Sequence, residues 1–122
     1  GAIEEVLSEH QSVAECAVIG IKDQLKGQLP IGLIALKAGV SKDNDTISKE
    51  CVQMVRDKVG PVAAFKIAIV VKRLPKTRSG KVLRGTVRKI ADQENYKMPA
   101  TIDDPVILEE IKEDLKKGGI LK

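Results

Sequence analysis

The chain has 122 residues, 43% of them apolar and 31% charged, which is about the size of one ordinary domain with enough apolar material for a single core. No apolar run approaches the roughly 20 residues that a membrane span requires, and no basic stretch followed by an apolar segment opens the chain, so neither a span nor an export signal is expected. The net charge of +4 conceals an asymmetry: ten Lys or Arg and no Asp or Glu stand between Lys58 and Ala91, leaving 11 basic against 17 acidic residues elsewhere. A local positive field suits an anionic partner, whether nucleic acid, acidic membrane or a small phosphate-bearing ligand. Phe65 and Tyr96 are the only rings, too few for a base-stacking surface, which favours the small phosphorylated ligand.

The elements follow in chain order. The opening "GAIEEVLSEH" places Ile3, Val6, Leu7 and His10 at helical spacing and predicts a first helix; because it starts inside a helical pattern without a methionine, the chain reads as a piece of a longer protein. "SVAECAVIGIK" and "PIGLIALKA" are β-branched apolar runs joined by a turn at Gly27, and predict two strands. From Asp45 to Lys58 the stripe Ile47, Cys51, Val55 predicts a second helix stopped at "VGP". "FKIAIVVKRL" predicts a third strand, and "VLRGTVRKIADQ" a third helix through Leu83, Val87 and Ile90. "TIDDPVILEEIKEDLKK", acidic at its start and basic at its end, predicts a fourth helix. Cys16 and Cys51 sit in apolar patterns without CxxC or Cys/His spacing, and read as reduced, buried thiols.

The basic stretch "LPKTRSGKVLRGTVRKI" (residues 74–90) thus joins a strand to a helix. Its Gly80-Lys81 pair looks like the end of a phosphate-binding P-loop, but Pro75 stands where that motif needs glycine and Val82 where it needs Ser or Thr, so that reading fails. What remains is a lysine presented on a turn: Pro75 fixes φ, Gly80 permits conformations other residues avoid, and Thr77 and Ser79 can bond locally to the backbone.

"LPKTRSGKVLR" resembles the C-terminal signature of the acyl-adenylate-forming superfamily, Pro-Lys-Thr-x-Ser-Gly-Lys-x-x-Arg, with every specified position present from Pro75 through Lys81 to Arg84. "GAIEEVLSEHQSVAECAVIGIKDQLKGQ", "VRDKVGPVAAFK" and "YKMPATIDDPVILEEI" extend the resemblance over nearly the whole chain, toward short-chain acyl-CoA synthetases, and "GPVAAFK" and "YKMPATIDDP" look more like the propionate than the acetate enzymes. The resemblance implies one α+β domain over residues 1–122, with a small, largely antiparallel sheet of about three strands and helices packed on it. This would be the mobile C-terminal lid of a larger enzyme whose N-terminal domain and hinge lie outside the chain.

The same resemblance implies the chemistry. A carboxylate attacks the α-phosphate of ATP, with Mg2+, to give acyl-AMP and pyrophosphate, and the thiol of CoA then displaces AMP. Lys81 matches the family's adenylation lysine, and also the lysine at which related enzymes are switched off by acetylation, which implies an acetyltransferase and a deacetylase as partners. Arg56 matches an arginine on the nucleotide phosphate of CoA, although a cation at a helix C-terminus also suits the helix dipole. Ser8, His10 and Val13 match positions whose main-chain carbonyls hold a divalent cation, but the His10 side chain itself reads better as a plain helix-ending histidine. Lys76, Arg78, Arg84, Arg88 and Lys89 read mostly as solvated face or loop bracing. Partners outside the parent chain are small substrates, with no nucleic acid and no membrane span expected, in the cytoplasm or the mitochondrial matrix. The rival readings are a non-catalytic anion-binding module and an adenylating enzyme that loads a carrier protein.

Overall fold

The computed structural model describes residues 1–25 and 27–121. Helix α1 (Ala2–Ser8) leads into strand β1 (Val13–Asp23), which turns back into β2 (Gly27–Leu36); α2 (Asn44–Lys58) and a 3-10 turn (Pro61–Ala63) lead to β3 (Ile67–Val71), followed by α3 (Arg84–Ala91) and α4 (Ile107–Lys117). The sheet order is β1-β2-β3. β1 and β2 form a long antiparallel hairpin from Val13↔Leu36 to Asp23↔Gly27, irregular between Val13 and Glu15, whereas β3 runs parallel to β2 from Ile31↔Ile67 to Ala35↔Val71. The sheet is therefore mostly antiparallel, and α2 supplies the crossover that a parallel pair needs.

Both faces of the sheet are covered, which is why its strands read as near-continuous apolar runs. Ala17 and Ile19 of β1, Ile31 and Leu33 of β2, and Ile69 and Val71 of β3 pack with α3 and α4 through Val87, Ile90, Leu108, Ile111 and Leu115. Their alternate neighbours, Cys16 and Val18, Ile34, and Ala68 and Val70, pack with α1 and α2 through Leu7, Ile47, Cys51 and Val55. Each fully buried Leu or Ile contributes about 1.5–3 kcal/mol relative to exposure. Both cysteines are free, and burial raises both thiols, that of Cys51 to about 11, so they stay protonated and act as small apolar groups.

Helix α2 starts where Asp43 accepts a hydrogen bond from the Thr46 N–H at 2.7 Å, a side-chain N-cap. Several boundaries differ from the sequence expectation: β2 already begins at Gly27, which pairs with Asp23, and β3 is shorter at both ends than "FKIAIVVKRL"; two further differences have a visible cause. The chain does not simply stop at "VGP": Gly60 (φ 109°) lets it turn into the 3-10 segment before β3. The last helix begins at Ile107 rather than in "TIDD", because Asp104 caps a turn by accepting the Val106 N–H at 3.1 Å and Ile102 makes an isolated bridge with Thr77.

Candidate functional site

The segment before α3 is a closed, internally bonded hairpin. Lys76 and Val82 form an antiparallel bridge, the Thr77 N–H donates to the Lys81 carbonyl at 2.8 Å, and the Gly80 N–H to the Thr77 carbonyl at 2.9 Å. The Thr77 hydroxyl oxygen accepts the Lys81 N–H at 3.1 Å and lies 2.9 Å from that of Ser79, while Gly80 takes φ 94°. Pro75 is fully buried at the base, and its carbonyl accepts the Leu83 N–H at 2.9 Å. Thus Thr77 bonds locally to the backbone and Gly80 takes a left-handed φ, as their chemistry suggested, whereas Ser79 meets the Thr77 hydroxyl and not the backbone; Lys81 is left exposed beside the turn.

The hairpin is also tied to the body from outside. Arg78 N–H donates to the Thr101 carbonyl and Asp103 N–H to the Lys76 carbonyl, each at 2.9 Å, so the 101–103 segment lies alongside it as a short extra strand. Lys76 pairs with Glu15 on β1. Arg84 makes a bidentate fork to Glu4 on α1, with Nε 2.9 Å from Oε2 and one terminal nitrogen 2.7 Å from Oε1. Further along, Arg73 joins Asp104 and Glu110, and Arg88 joins Asp92 and Glu94. Much of the basic stretch is therefore neutralised, by acids far away in sequence for Arg73, Lys76 and Arg84 and by nearby ones for Arg88. Among the described residues Lys66, Lys72, Arg78, Lys81 and Lys89 have no carboxylate within ion-pair distance, and of these Arg78 and Lys81 are the two carried by the tip of the braced hairpin.

Arg56 stands elsewhere, in the last turn of α2 on the opposite face of the sheet from α3. It is exposed, pairs with no carboxylate among the described residues, and lines a cleft of about 190 Å³ with Gly60, Pro61, Phe65 and Lys66. Two cations, Arg56 of α2 and Lys66 just before β3, line this cleft and no acid does, an arrangement suited to an anion and not required by the dipole of α2. Lys66 was not singled out in the sequence, where nothing links it to Arg56.

His10 is buried and structural. Its Nδ1 accepts the Ser12 N–H at 3.0 Å, which places the ring proton on Nε2, and Nε2 donates to Glu50 at 2.7 Å; Lys42 holds the other Glu50 oxygen at 2.9 Å. The Ser8 hydroxyl donates to the Glu5 carbonyl at 2.7 Å, ending α1, and the His10 carbonyl accepts the Val13 N–H at 3.1 Å. Ser8 ends α1, His10 lies in the turn that follows and Val13 opens β1, so the three flank one short connection. Neutral carbonyl oxygens are the kind of donor a hard cation such as Ca2+ or Mg2+ accepts, but the His10 carbonyl is already engaged by the Val13 N–H, and no carboxylate is among the three residues. Among the described residues no group of three or more His, Cys, Asp or Glu could hold a metal ion.

A small α+β domain covered on both faces that presents a lysine on a braced Pro-Lys-Thr-x-Ser-Gly-Lys hairpin defines a class, and comparison with known proteins identifies it. The family described as AMP-binding enzyme C-terminal domain matches residues 2–81, more than half of the chain, and the chain belongs to it. An uncharacterized protein of Pseudomonas aeruginosa is 53% identical over 116 residues, covering 95% of this chain and 18% of that protein. The mitochondrial acyl-CoA synthetase short-chain family member 3 of Mus musculus is 47% identical over 118 residues, 97% of this chain and 17% of that enzyme. Among solved structures, an acyl-CoA synthetase of Brucella canis matches with a TM-score of 0.65 and 29% identity over 71% of this chain and 16% of its own. The chain spans less than a fifth of the length of the relatives it matches. No helix among the described residues is long and apolar enough to cross a membrane.

Proposed function

We propose that this domain is the mobile C-terminal lid of an ATP-dependent, AMP-forming short-chain acyl-CoA synthetase, acting on propionate or acetate in the cytoplasm or the mitochondrial matrix. The observation that supports this most is Lys81, exposed and without a carboxylate partner at the tip of a hairpin whose backbone is already fixed. In the adenylation pose the hairpin enters the active site formed with the rest of the parent chain. Both reactants of that step are anions, and negative charge grows around the five-coordinate α-phosphate; the Lys81 ammonium, a point charge with three donors, contacts a carboxylate oxygen and a phosphate oxygen together. A braced loop delivers that charge with little reorganisation, which is where electrostatic stabilisation is worth most. Mg2+ would neutralise phosphate charge, and the carbonyls of Ser8, His10 and Val13 are the candidates in this domain for holding a divalent cation.

In the second pose the hairpin withdraws and the opposite face of the sheet turns to CoA, where Arg56 receives its nucleotide phosphate. Because that contact belongs to one half-reaction, Arg56→Ala in the parent enzyme is expected to raise the KM for CoA about tenfold, the usual loss for one charge-assisted contact, and to leave acyl-AMP formation nearly unchanged. Steady-state kinetics in CoA beside a CoA-independent adenylation assay checks this; a fall in adenylation at constant CoA dependence would remove Arg56 from the CoA surface.

The carboxylate pocket and the rest of the nucleotide site lie outside these residues. The purified 122-residue domain is therefore expected to fold, with a cooperative thermal transition, but to show no ATP-pyrophosphate exchange above blank. Exchange by the isolated domain would contradict the division of labour proposed for the two parts.

A further inference from the structure

Arg84 breaks a local rule. It is the first residue of α3, a helix with no side-chain N-cap and no acid in its first turn, so a cation occupies the positive end of the helix dipole, where a carboxylate or a cap is favoured. The compensation comes from 80 residues away: Glu4, in the first turn of α1, takes both donors of the Arg84 fork and also accepts the Val18 N–H of β1 at 2.8 Å. Arg84 holds the Glu4 carboxyl below its usual range against the opposing effect of burial, and Glu4 in turn raises Arg84. One carboxylate thereby joins α1, β1 and the start of α3, three residues beyond Lys81.

We propose that the Glu4–Arg84 fork is a positioning device for Lys81: it fixes the base of the hairpin against α1 and β1, so that the lysine is aimed when the domain closes. This rests on the reading of Lys81 as the adenylation lysine. The hairpin's own bonds, from Thr77 to Lys81, set its internal shape but not its direction relative to the sheet. Direction is set by the 101–103 segment on one side, Lys76–Glu15 beneath, and this fork at the exit. A rigid, planar, two-point contact suits such a strut, and a lysine in place of Arg84 would keep the charge but lose the second bond. The fork itself touches no substrate in this proposal.

The test uses the parent full-length enzyme with Glu4→Gln, Arg84→Gln, Arg84→Lys, the Glu4→Gln/Arg84→Gln double variant, and Lys81→Ala as reference. Acyl-AMP formation, thioester formation from supplied acyl-AMP, and Tm are measured on each. A displacement of about 1 Å costs on the order of 100-fold at the reacting centre, so a loosened but folded strut is expected to lower the adenylation kcat by about tenfold or more with little change in KM for ATP. Arg84→Lys is expected to behave like Arg84→Gln, the double variant like either single one, and the thioester half to stay at wild-type rate. Wild-type adenylation in the Glu4 and Arg84 variants, with Lys81→Ala inactive, would overturn the strut alone. Loss of both half-reactions in proportion to a fall in Tm would reduce the fork to general stability. Unimpaired adenylation in Lys81→Ala would overturn the strut together with the reading beneath it.

Discussion

Lys81→Ala in the parent enzyme is expected to lower acyl-AMP formation by on the order of 100-fold or more, the scale for removing a charge that acts in the transition state, while thioester formation from supplied acyl-AMP continues. Acetylation of Lys81 is expected to do the same, since it removes the charge and the ammonium donors without touching the backbone. The structure makes this separable from folding. The Lys81 side chain is exposed and has no carboxylate partner among the described residues, and the hairpin's bonds run through the backbone groups of Lys81 and the hydroxyl of Thr77. Its replacement should therefore move stability by no more than about 0.5 kcal/mol. Lys81 is exposed in this domain, as a modifying enzyme would require. The two half-reactions measured separately decide the matter: equal loss in both would make Lys81 a general binding or structural residue, and substantial adenylation without the ammonium would remove it from the chemistry.

The second large effect concerns the scaffold. Gly32 lies in the central strand β2, paired with Val18 on one side and Ala68 on the other. A β-carbon at this position would stand 2.7 Å from Cζ of Phe65 and 3.3 Å from a methyl of Leu7, both buried. Valine is a good strand former, a preference worth at most about 1 kcal/mol, but the close-packed ring of Phe65 cannot yield without displacing its neighbours, and overpacking of this kind costs about 1–3 kcal/mol or more. The clash wins. Gly32→Val is expected to lower the Tm of the isolated domain by at least several degrees, read by circular dichroism. Because Phe65 also lines the Arg56 cleft, the CoA step of the parent enzyme should suffer more than adenylation. A variant as stable as wild type would show that the glycine is not required by this contact.

The elements were legible where burial imposes a period. Ile47, Cys51 and Val55 marked α2, and the β-branched runs marked the three strands, because each presents one face or two to a core. The parallel pairing of β3 was not legible, since a strand buried on both faces reads alike in either direction. Nor was the start of α4: the acids that suggested a helix N-terminus are spent on a turn at Asp104 and on Arg73. At the candidate site, Pro75, Thr77, Ser79, Gly80 and Lys81 were legible because the hairpin is built from local bonds. Glu4, Glu15 and the 101–103 segment were not, because they reach the loop only through the fold. The positive field read from the sequence was also overstated, since Arg73, Lys76, Arg84 and Arg88 each meet an acid in three dimensions. The His10 ring, bound to Ser12 and Glu50, is structural, leaving only its carbonyl for a cation.

The most direct test of the central proposal is pyrophosphate release by the parent full-length enzyme supplied with ATP and Mg2+ together with acetate, propionate or butyrate in turn, with the adenine product identified. The expected result is carboxylate-dependent release of pyrophosphate with AMP as the nucleotide product once CoA is added, strongest for propionate or acetate. Formation of ADP and inorganic phosphate, or no release above blank with any of the three acids, would contradict it.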